Sequence, residues 1–182
     1  MRLEGQHLPE LFADLDAALV ELTVPIGRDG AKWSNGPPGK WTAGQHVDHI
    51  AVSLERTAES LEKADRRFRN GSLPPRPRRG LLQAMFVRFV IVRGRLPRGG
   101  KTTRAMQPTG SPDPAETLER IKASVALHRA IGEPLDPAQR DRLWVANPFL
   151  PRWHYNLPEL VRMHAVHARH HARLIQEIMG ER

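Results

Sequence analysis

The chain has 182 residues, of which 40% are apolar and 26% are charged, and its formal net charge is +8. This size and composition are typical of a soluble globular protein, so we expect residues 1–182 to form one domain. The absence of cysteine excludes disulfides, thiolate metal sites and a cysteine nucleophile, and it fits a reducing cytoplasm. Because we find neither a signal peptide nor an apolar run long enough to span a bilayer, we expect a cytoplasmic protein with no membrane partner.

The positive charge raises the question of nucleic-acid binding. Many basic residues of the chain cluster in its middle, at Arg76, Arg78, Arg79, Arg93, Arg95, Arg98, Lys101 and Arg104. Aromatic side chains that would stack on bases do not alternate with them. We therefore interpret this region as a solvated basic linker and predict no specific nucleic-acid partner. A basic interaction module remains the alternative.

Helical periodicity marks the first half of the chain. Residues 7–24 repeat apolar side chains at steps of three and four, which predicts a helix that ends at Pro25. A second helix is predicted to run to about residue 68, with Thr42 as its N-cap and Gln45 as the capping-box partner. Residues 70–80 have the composition of a proline-stiffened linker.

The second half continues this pattern. Residues 81–93 are apolar and rich in β-branched side chains, and we choose helix over strand because the neighbours are helical and no partner strand is visible. Residues 95–114 are loop-like. Further helices are predicted from Asp113-Pro114 to Gly132, within residues 137–145, and over residues 157–179, with a loop at 147–156. The predicted fold is an all-α antiparallel four-helix bundle with an extra apolar helical element between the second and third bundle helices.

Histidines occupy an unusual place in the last predicted helix. One stripe at the helical period, which should face the inside of a bundle, consists of Leu160, His164, His167, His171, Leu174 and Ile178. An unpaired polar group in that environment costs roughly 1–3 kcal/mol, so the histidines need partners. A metal site is the explanation we favour, and a hydrogen-bonded core network and incidental surface histidines are the alternatives.

Spacing identifies two candidate ligands. His167 and His171 are four residues apart, which places both imidazoles on one helix face and allows them to bind one cation. A third ligand should come from the second helix, where His46 and His49 are available. Periodicity slightly favours His46, which lies nearer the centre of the apolar stripe of that helix, whereas His49 lies at its edge.

Two segments resemble the DinB/YfiT-like superfamily. Residues 41–50 read Trp-Thr-Ala-Gly-Gln-His-Val-Asp-His-Ile. They resemble the family's second helix, in which a metal-ligating histidine follows the tryptophan by eight residues; here that histidine is His49. Residues 166–171 resemble the last-helix motif, whose first and last histidines, His167 and His171, are ligands. Residues 147–149 resemble the turn that precedes that helix, whereas the long segment 70–112 departs from the family's simplest outline.

The resemblance implies a helical bundle, a divalent metal ion held by His49, His167 and His171, and often a homodimer. Zinc or nickel is the first expectation for the metal, and iron or manganese is also compatible. Activity is implied only loosely, because relatives include thiol S-transferases, a thiol-dependent isomerase, an iron-dependent oxidase-type domain and metal-dependent hydrolases. We expect a hydrolase or a transferase with a small-molecule substrate, which includes a low-molecular-weight thiol. A non-catalytic metal-binding bundle is the alternative.

Two further histidines are candidates for catalysis. His46 and His164 each precede a predicted ligand by three residues, so each is a candidate proton carrier or a group that positions a ligand. A packed core histidine is the alternative for both. Asp48 is next to His49 in sequence and should therefore point to another part of the helix surface. Trp41 is interpreted as a plug of the core.

Overall fold

A computed structural model of the chain describes residues 7–72, 77–96, 103–148, 150 and 152–180. Four residues that the sequence analysis considered, Arg76, Arg98, Lys101 and Phe149, lie outside this part of the chain.

Helices form most of the described chain. Their bounds are α1 Leu8–Thr23, α2 Gly30–Ser34, α3 Ala43–Arg69, α4 Leu81–Phe86, α5 Pro114–Gly132, α6 Pro137–Arg142 and α7 Leu157–Met179. A π-helical turn, Val87–Ile91, continues α4, and a 3₁₀ turn covers Arg104–Met106. Two short strands, β1 Trp144–Ala146 and β2 His154–Asn156, pair antiparallel. The predicted helical bundle is confirmed, with α1, α3, α5 and α7 as its long helices.

Local sequence signals explain where the long helices begin and end. The side chain of Thr42 accepts a hydrogen bond from Gln45 N, and the side chain of Gln45 accepts one from Thr42 N, so the predicted capping box is confirmed. Asp113 caps α5 by accepting a hydrogen bond from Glu116 N. Gly180 ends α7 at a φ of 75°, a left-handed conformation that glycine adopts without strain.

Contacts between helices determine their directions. Three contacts step in opposite directions along α3 and α7, namely His46–His171, His49–His167 and Thr57–His164. Two ion pairs step in the same direction along α1 and α7, namely Asp14–Arg162 and Glu21–Arg169. Helix α3 therefore runs antiparallel to α7, and α1 runs parallel to α7.

The remaining helix, α5, runs parallel to α3. A Cβ added to Gly132, at the end of α5, would lie 2.7 Å from Leu157 and 3.2 Å from Leu8, the first residues of α7 and α1. Because parallel neighbours begin at the same end of a bundle, the connection between α3 and α5 has to return along the bundle. This requirement accounts for the long segment 70–112, which the sequence marked as a departure from the simplest family outline.

The prediction for residues 144–156 is wrong, and one short helix was not predicted. Residues 144 and 145, assigned to the short helix, instead form a strand with residues 155 and 156 of the predicted loop. Cross-strand pairing satisfies the backbone of this buried connection, in which Val145 and Tyr155 face each other and are almost fully buried. Helix α2 was also not predicted. Its Asp29 N-cap accepts hydrogen bonds from two backbone N–H groups, and Trp33 packs into the core.

Residues 81–91 are helical as predicted, but they change from an α-helix to a π-helical turn at Val87. Their inner side includes Gln83, Val87 and Ile91, which are buried.

No helix in the described ranges combines the length and apolar character needed to cross a membrane.

Candidate metal centre

Three histidines from two helices converge at the α3–α7 contact. His49 comes from α3 and His167 and His171 from α7, and one ring nitrogen of each lies within 4.8 Å of the others. The four-residue spacing on α7 places two rings one above the other, and the approach of α3 brings the third against both, with ring centroids 4.8–5.0 Å apart in all three pairs. These are the three residues that the sequence analysis named as metal ligands.

The spacing of the nitrogens fits a small cation. His49 Nε2 and His167 Nε2 are 3.2 Å apart. Two nitrogens that each lie 2.0–2.1 Å from a tetrahedral zinc ion would be about 3.3–3.4 Å apart. The donor set, all imidazole, suits zinc, nickel or iron.

The protonation of His49 is determined by a backbone contact. His49 Nδ1 lies 2.7 Å from the carbonyl oxygen of Met106. A carbonyl can only accept, so Nδ1 carries the hydrogen, and in the neutral ring Nε2 keeps its lone pair. That lone pair is directed towards His167, where a cation would bind. A hydrogen bond of this kind is typical of metal-ligating histidines.

Burial keeps the three ligand candidates neutral. Loss of hydration lowers the pKa of His49, and the Met106 carbonyl opposes this effect only in part. Burial also lowers the pKa of His167 and His171 well below 6.5, and neighbouring histidines add to the shift. Neutral imidazoles can bind a cation without first losing a proton.

His46 lies beside the triad. Its Nδ1 is 2.8 Å from Nδ1 of His171. When His171 Nδ1 donates this hydrogen bond, His171 Nε2 keeps the lone pair that a cation requires. Burial, together with His49 and His170, lowers the pKa of His46 to about 4, so it is neutral and able to accept.

The periodicity of α3 slightly favoured His46 as the third ligand, but the structure brings His49 to the other two. Helix α3 packs against both α5 and α7, so its buried surface is wider than a single stripe. Residues at the edge of the apolar stripe are therefore buried as well, and His49 is only 3% exposed.

His164 lies in the packed core. It is 2% exposed, its Nε2 is 2.8 Å from Thr57 Oγ1, and its ring meets the edge of His128 at 5.3 Å between centroids. These contacts match the core histidine that the sequence analysis gave as the alternative. A role for His164 as a proton carrier stays a prediction.

A cavity of about 1150 Å³ opens onto the histidine cluster. Apolar side chains from four parts of the chain line much of it, among them Phe86, Leu96, Leu150, Trp153 and Met163. Trp41 also lines it, with its ring centroid 5.0 Å from His49 and 5.4 Å from His46. The interpretation of Trp41 as only a core plug is therefore incomplete, because it also covers one side of the cluster.

One contributor to the site, and one histidine of the neighbouring core, were not identified from sequence. The Met106 carbonyl belongs to a loop-like segment 57 positions after His49, and a backbone group leaves no residue-type signal. His128 lies within the predicted helix that ends at Gly132 and was not singled out; its Nδ1 contacts Ser124 O at 2.7 Å, which satisfies one of its two ring nitrogens.

A family model described as the DinB superfamily matches residues 5–175. No curated protein and no solved structure matches the chain. The family match covers nearly the whole chain and agrees with the helical bundle and with a histidine from α3 meeting two from α7. The chain therefore belongs to the DinB superfamily.

Proposed function

We propose that this protein is a metal-dependent enzyme in which a divalent ion on His49, His167 and His171 activates a small nucleophile. One observation carries the proposal: three neutral imidazoles, of which those of His49 and His171 are buried and that of His167 is half-buried, converge at the wall of a cavity large enough for a substrate. Three protein ligands leave at least one coordination position, the pattern of catalytic rather than structural sites. Zinc or nickel fits best, iron suits the same ligands, and manganese, which prefers oxygen ligands, fits them least well.

The metal, when bound, supplies Lewis acidity that lowers the pKa of a coordinated water or thiol. The chain's residues provide the surroundings. Met106 O holds the ring of His49, and Trp41 shields one side of the cluster from water. The apolar wall around Phe86 and Trp153 is suited to the carbon skeleton of a substrate.

Hydrolysis and thiol transfer are the two reactions that this arrangement supports. Hydrolysis of an ester or amide needs only one organic substrate. Transfer of a low-molecular-weight thiol to an electrophile needs two, and the cavity of about 1150 Å³ exceeds the usual volume for a single drug-sized ligand. The volume leaves room for two substrates, and we propose thiol transfer as the specific case. The thiol has to come from the second substrate, because the chain contains no cysteine.

Metal analysis of the untagged protein tests the centre. The wild type should hold about one ion per chain, whereas His167→Ala should lose most of it. His7→Ala is the matched control, because His7 is an exposed histidine whose side chain makes no capping hydrogen bond. Full metal content in both His167→Ala and His171→Ala would contradict the site.

Activity assays then separate the reactions. We expect the metal-loaded protein to join a small thiol to an aryl halide, and to lose this activity in His167→Ala. Turnover of p-nitrophenyl esters without thiol would instead indicate a hydrolase. A metal-loaded protein inactive in both assays would favour the non-catalytic bundle.

We also propose a homodimer, as the sequence suggested. Supporting it, one side of α4 and the π-helical turn exposes Leu81, Leu82, Met85 and Phe89, the first two by more than 75%. Light scattering at micromolar concentration should give twice the chain mass, and Leu81→Glu with Leu82→Glu should give a monomer. A wild-type monomer at high micromolar concentration would contradict the proposal.

A further inference from the structure

A short segment of backbone crosses the start of α3, next to the histidine cluster. We name residues 106–110 the strap. Three side chains on one face of α3 bind it: Gln45 Nε2 donates to the carbonyls of Thr109 and Gly110, Asp48 Oδ2 accepts from Thr109 N at 2.7 Å, and His49 Nδ1 donates to Met106 O at 2.7 Å. The strap therefore connects one metal ligand candidate to two neighbouring polar residues.

Asp48 is the most deeply buried of these anchors. It is fully buried, and its second carboxylate oxygen accepts a hydrogen bond of 2.6 Å from Arg120 Nη1 on α5. Arg120 also binds Glu55 through two further hydrogen bonds of 2.7 Å. A buried carboxylate requires such pairing, because an unpaired charge inside the protein is strongly unfavourable. Asp48 thus fixes the strap to two helices at once.

The strap matters for His49 because its Met106 carbonyl selects the tautomer of the ring. With the carbonyl in place, Nδ1 carries the hydrogen and Nε2 is directed towards His167 Nε2 at 3.2 Å. If the strap moved, His49 would be able to rotate or to place its hydrogen on Nε2, and a protonated Nε2 does not bind a cation.

We propose that Asp48 is a positioning residue for the metal centre: by fixing the strap, it holds the Met106 carbonyl against His49 and keeps Nε2 of that ring ready to bind the ion. The role is indirect, because Asp48 touches no candidate ligand through its side chain and reaches His49 through four residues of backbone. It rests on the proposed three-histidine site and adds a residue that helical spacing had directed away from it.

Meanwhile, the same strap forms part of the cavity wall, where Met106 and Gln107 line the space into which the histidines face. Asp48 therefore positions both the metal ligand and the surface beside it. Loss of Asp48 should change substrate binding as well as metal affinity.

The test compares Asp48→Asn with Glu55→Gln. Each variant removes one carboxylate from Arg120, but only Asp48 also binds the strap. Titration with Zn²⁺ against a chromogenic chelator should show affinity lowered by about 10–100-fold in Asp48→Asn, the usual range for loss of an outer hydrogen bond, and less than about threefold in Glu55→Gln. Wild-type zinc affinity in a folded Asp48→Asn variant overturns the proposal.

A second readout needs no metal. Long-range ¹H–¹⁵N correlation spectra of the metal-free protein should show His49 with its hydrogen on Nδ1 in the wild type and in Glu55→Gln, and a mixture of tautomers in Asp48→Asn. An unchanged tautomer in Asp48→Asn overturns the positioning role. If the wild type binds no zinc but Asp48→Asn shifts the tautomer, the proposed function fails while the role of Asp48 in holding the ring stands.

Gln45→Glu covers the case in which Asp48→Asn does not fold. Glutamate keeps the side-chain acceptor for Thr42 N, so the capping box survives, but it removes the Nε2 donor to the strap carbonyls. A zinc affinity lowered several-fold, with helicity unchanged, supports the strap as the positioning element. Unchanged affinity and an unchanged His49 tautomer in this variant overturn it.

Discussion

Two neighbouring parts of the histidine stripe on α7 differ in what surrounds them. His167 and His171 face a cavity, and His49 from α3 meets them with a ring nitrogen that carries a lone pair. One turn earlier, His164 is more deeply buried than either, the hydroxyl of Thr57 contacts its Nε2, and His128 covers its ring. The first group can bind a cation, whereas the second is a core contact built around the hydrogen bond between His164 and Thr57.

The comparison shows that burial and helical spacing do not by themselves make a metal site. All three histidines on the stripe have a pKa lowered well below the ordinary value, mainly because burial removes them from water. What separates them is the residue that α3 presents opposite each one. A histidine on α3 completes a set of three ligands, whereas a threonine at the equivalent position forms a hydrogen bond with the imidazole.

Replacing a candidate ligand should cause the largest loss of zinc affinity. A small loss would contradict the distinction between the two parts of the stripe. His167→Ala and His171→Ala should each lower zinc affinity by more than about 100-fold, the upper end of the range for outer contacts. The reason is that only two imidazoles are left to bind the ion. His164→Leu, one turn away on the same stripe, should keep affinity within a few-fold. Isothermal titration with a competing chelator measures all three, and equal losses in His164→Leu and His167→Ala would contradict the division of the stripe.

Acid should destabilise the metal-free protein through both parts of the stripe. Buried histidines have a lower pKa in the folded chain than in the unfolded chain, so the unfolded chain binds more protons between the two values. The contribution of these histidines to the free energy of unfolding is therefore fully present above about pH 6.5 and is lost as the pH falls below that value. His46, whose pKa is lowered to about 4, should alone reduce the free energy of unfolding by on the order of 3 kcal/mol as the pH falls from its unfolded to its folded pKa.

Urea unfolding of the metal-free protein at pH 7, 6 and 5 measures this loss. The double variant His128→Leu, His164→Leu removes the two core histidines, so its free energy of unfolding should fall less steeply with acid. A free energy of unfolding that stays constant from pH 7 to pH 4.5 would show that the histidines are not buried as neutral groups.

Loss of the contact between His46 and His171 should lower zinc affinity less than loss of a ligand does. His46→Ala should lower zinc affinity by about 10–100-fold, because His171 loses the acceptor at its Nδ1. His46→Gln should restore most of the affinity, since a glutamine oxygen can accept the same hydrogen bond. If His46→Ala abolished binding while His49→Ala left it intact, the ligand from α3 would be His46, as periodicity had slightly favoured.

Much of this protein follows from local patterns in the chain. The long helices, the Thr42–Gln45 capping box and the Asp113 cap depend on interactions within a few residues, which a sequence shows directly. Likewise, the spacing of His167 and His171 places both on one face of α7 without any knowledge of its partners. The family motif added His49, which periodicity alone did not choose.

Tertiary structure decided which partner each polar group meets. The parallel arrangement of α3 and α5, the hairpin of β1 and β2, and the strap depend on contacts between residues far apart in sequence. Asp48 illustrates the reason: helical spacing correctly directs it away from the imidazole of its neighbour, yet its bond to Thr109, 61 positions later, brings the Met106 carbonyl onto His49. Such a contact leaves no periodic trace, because it joins a side chain to the backbone of a distant loop.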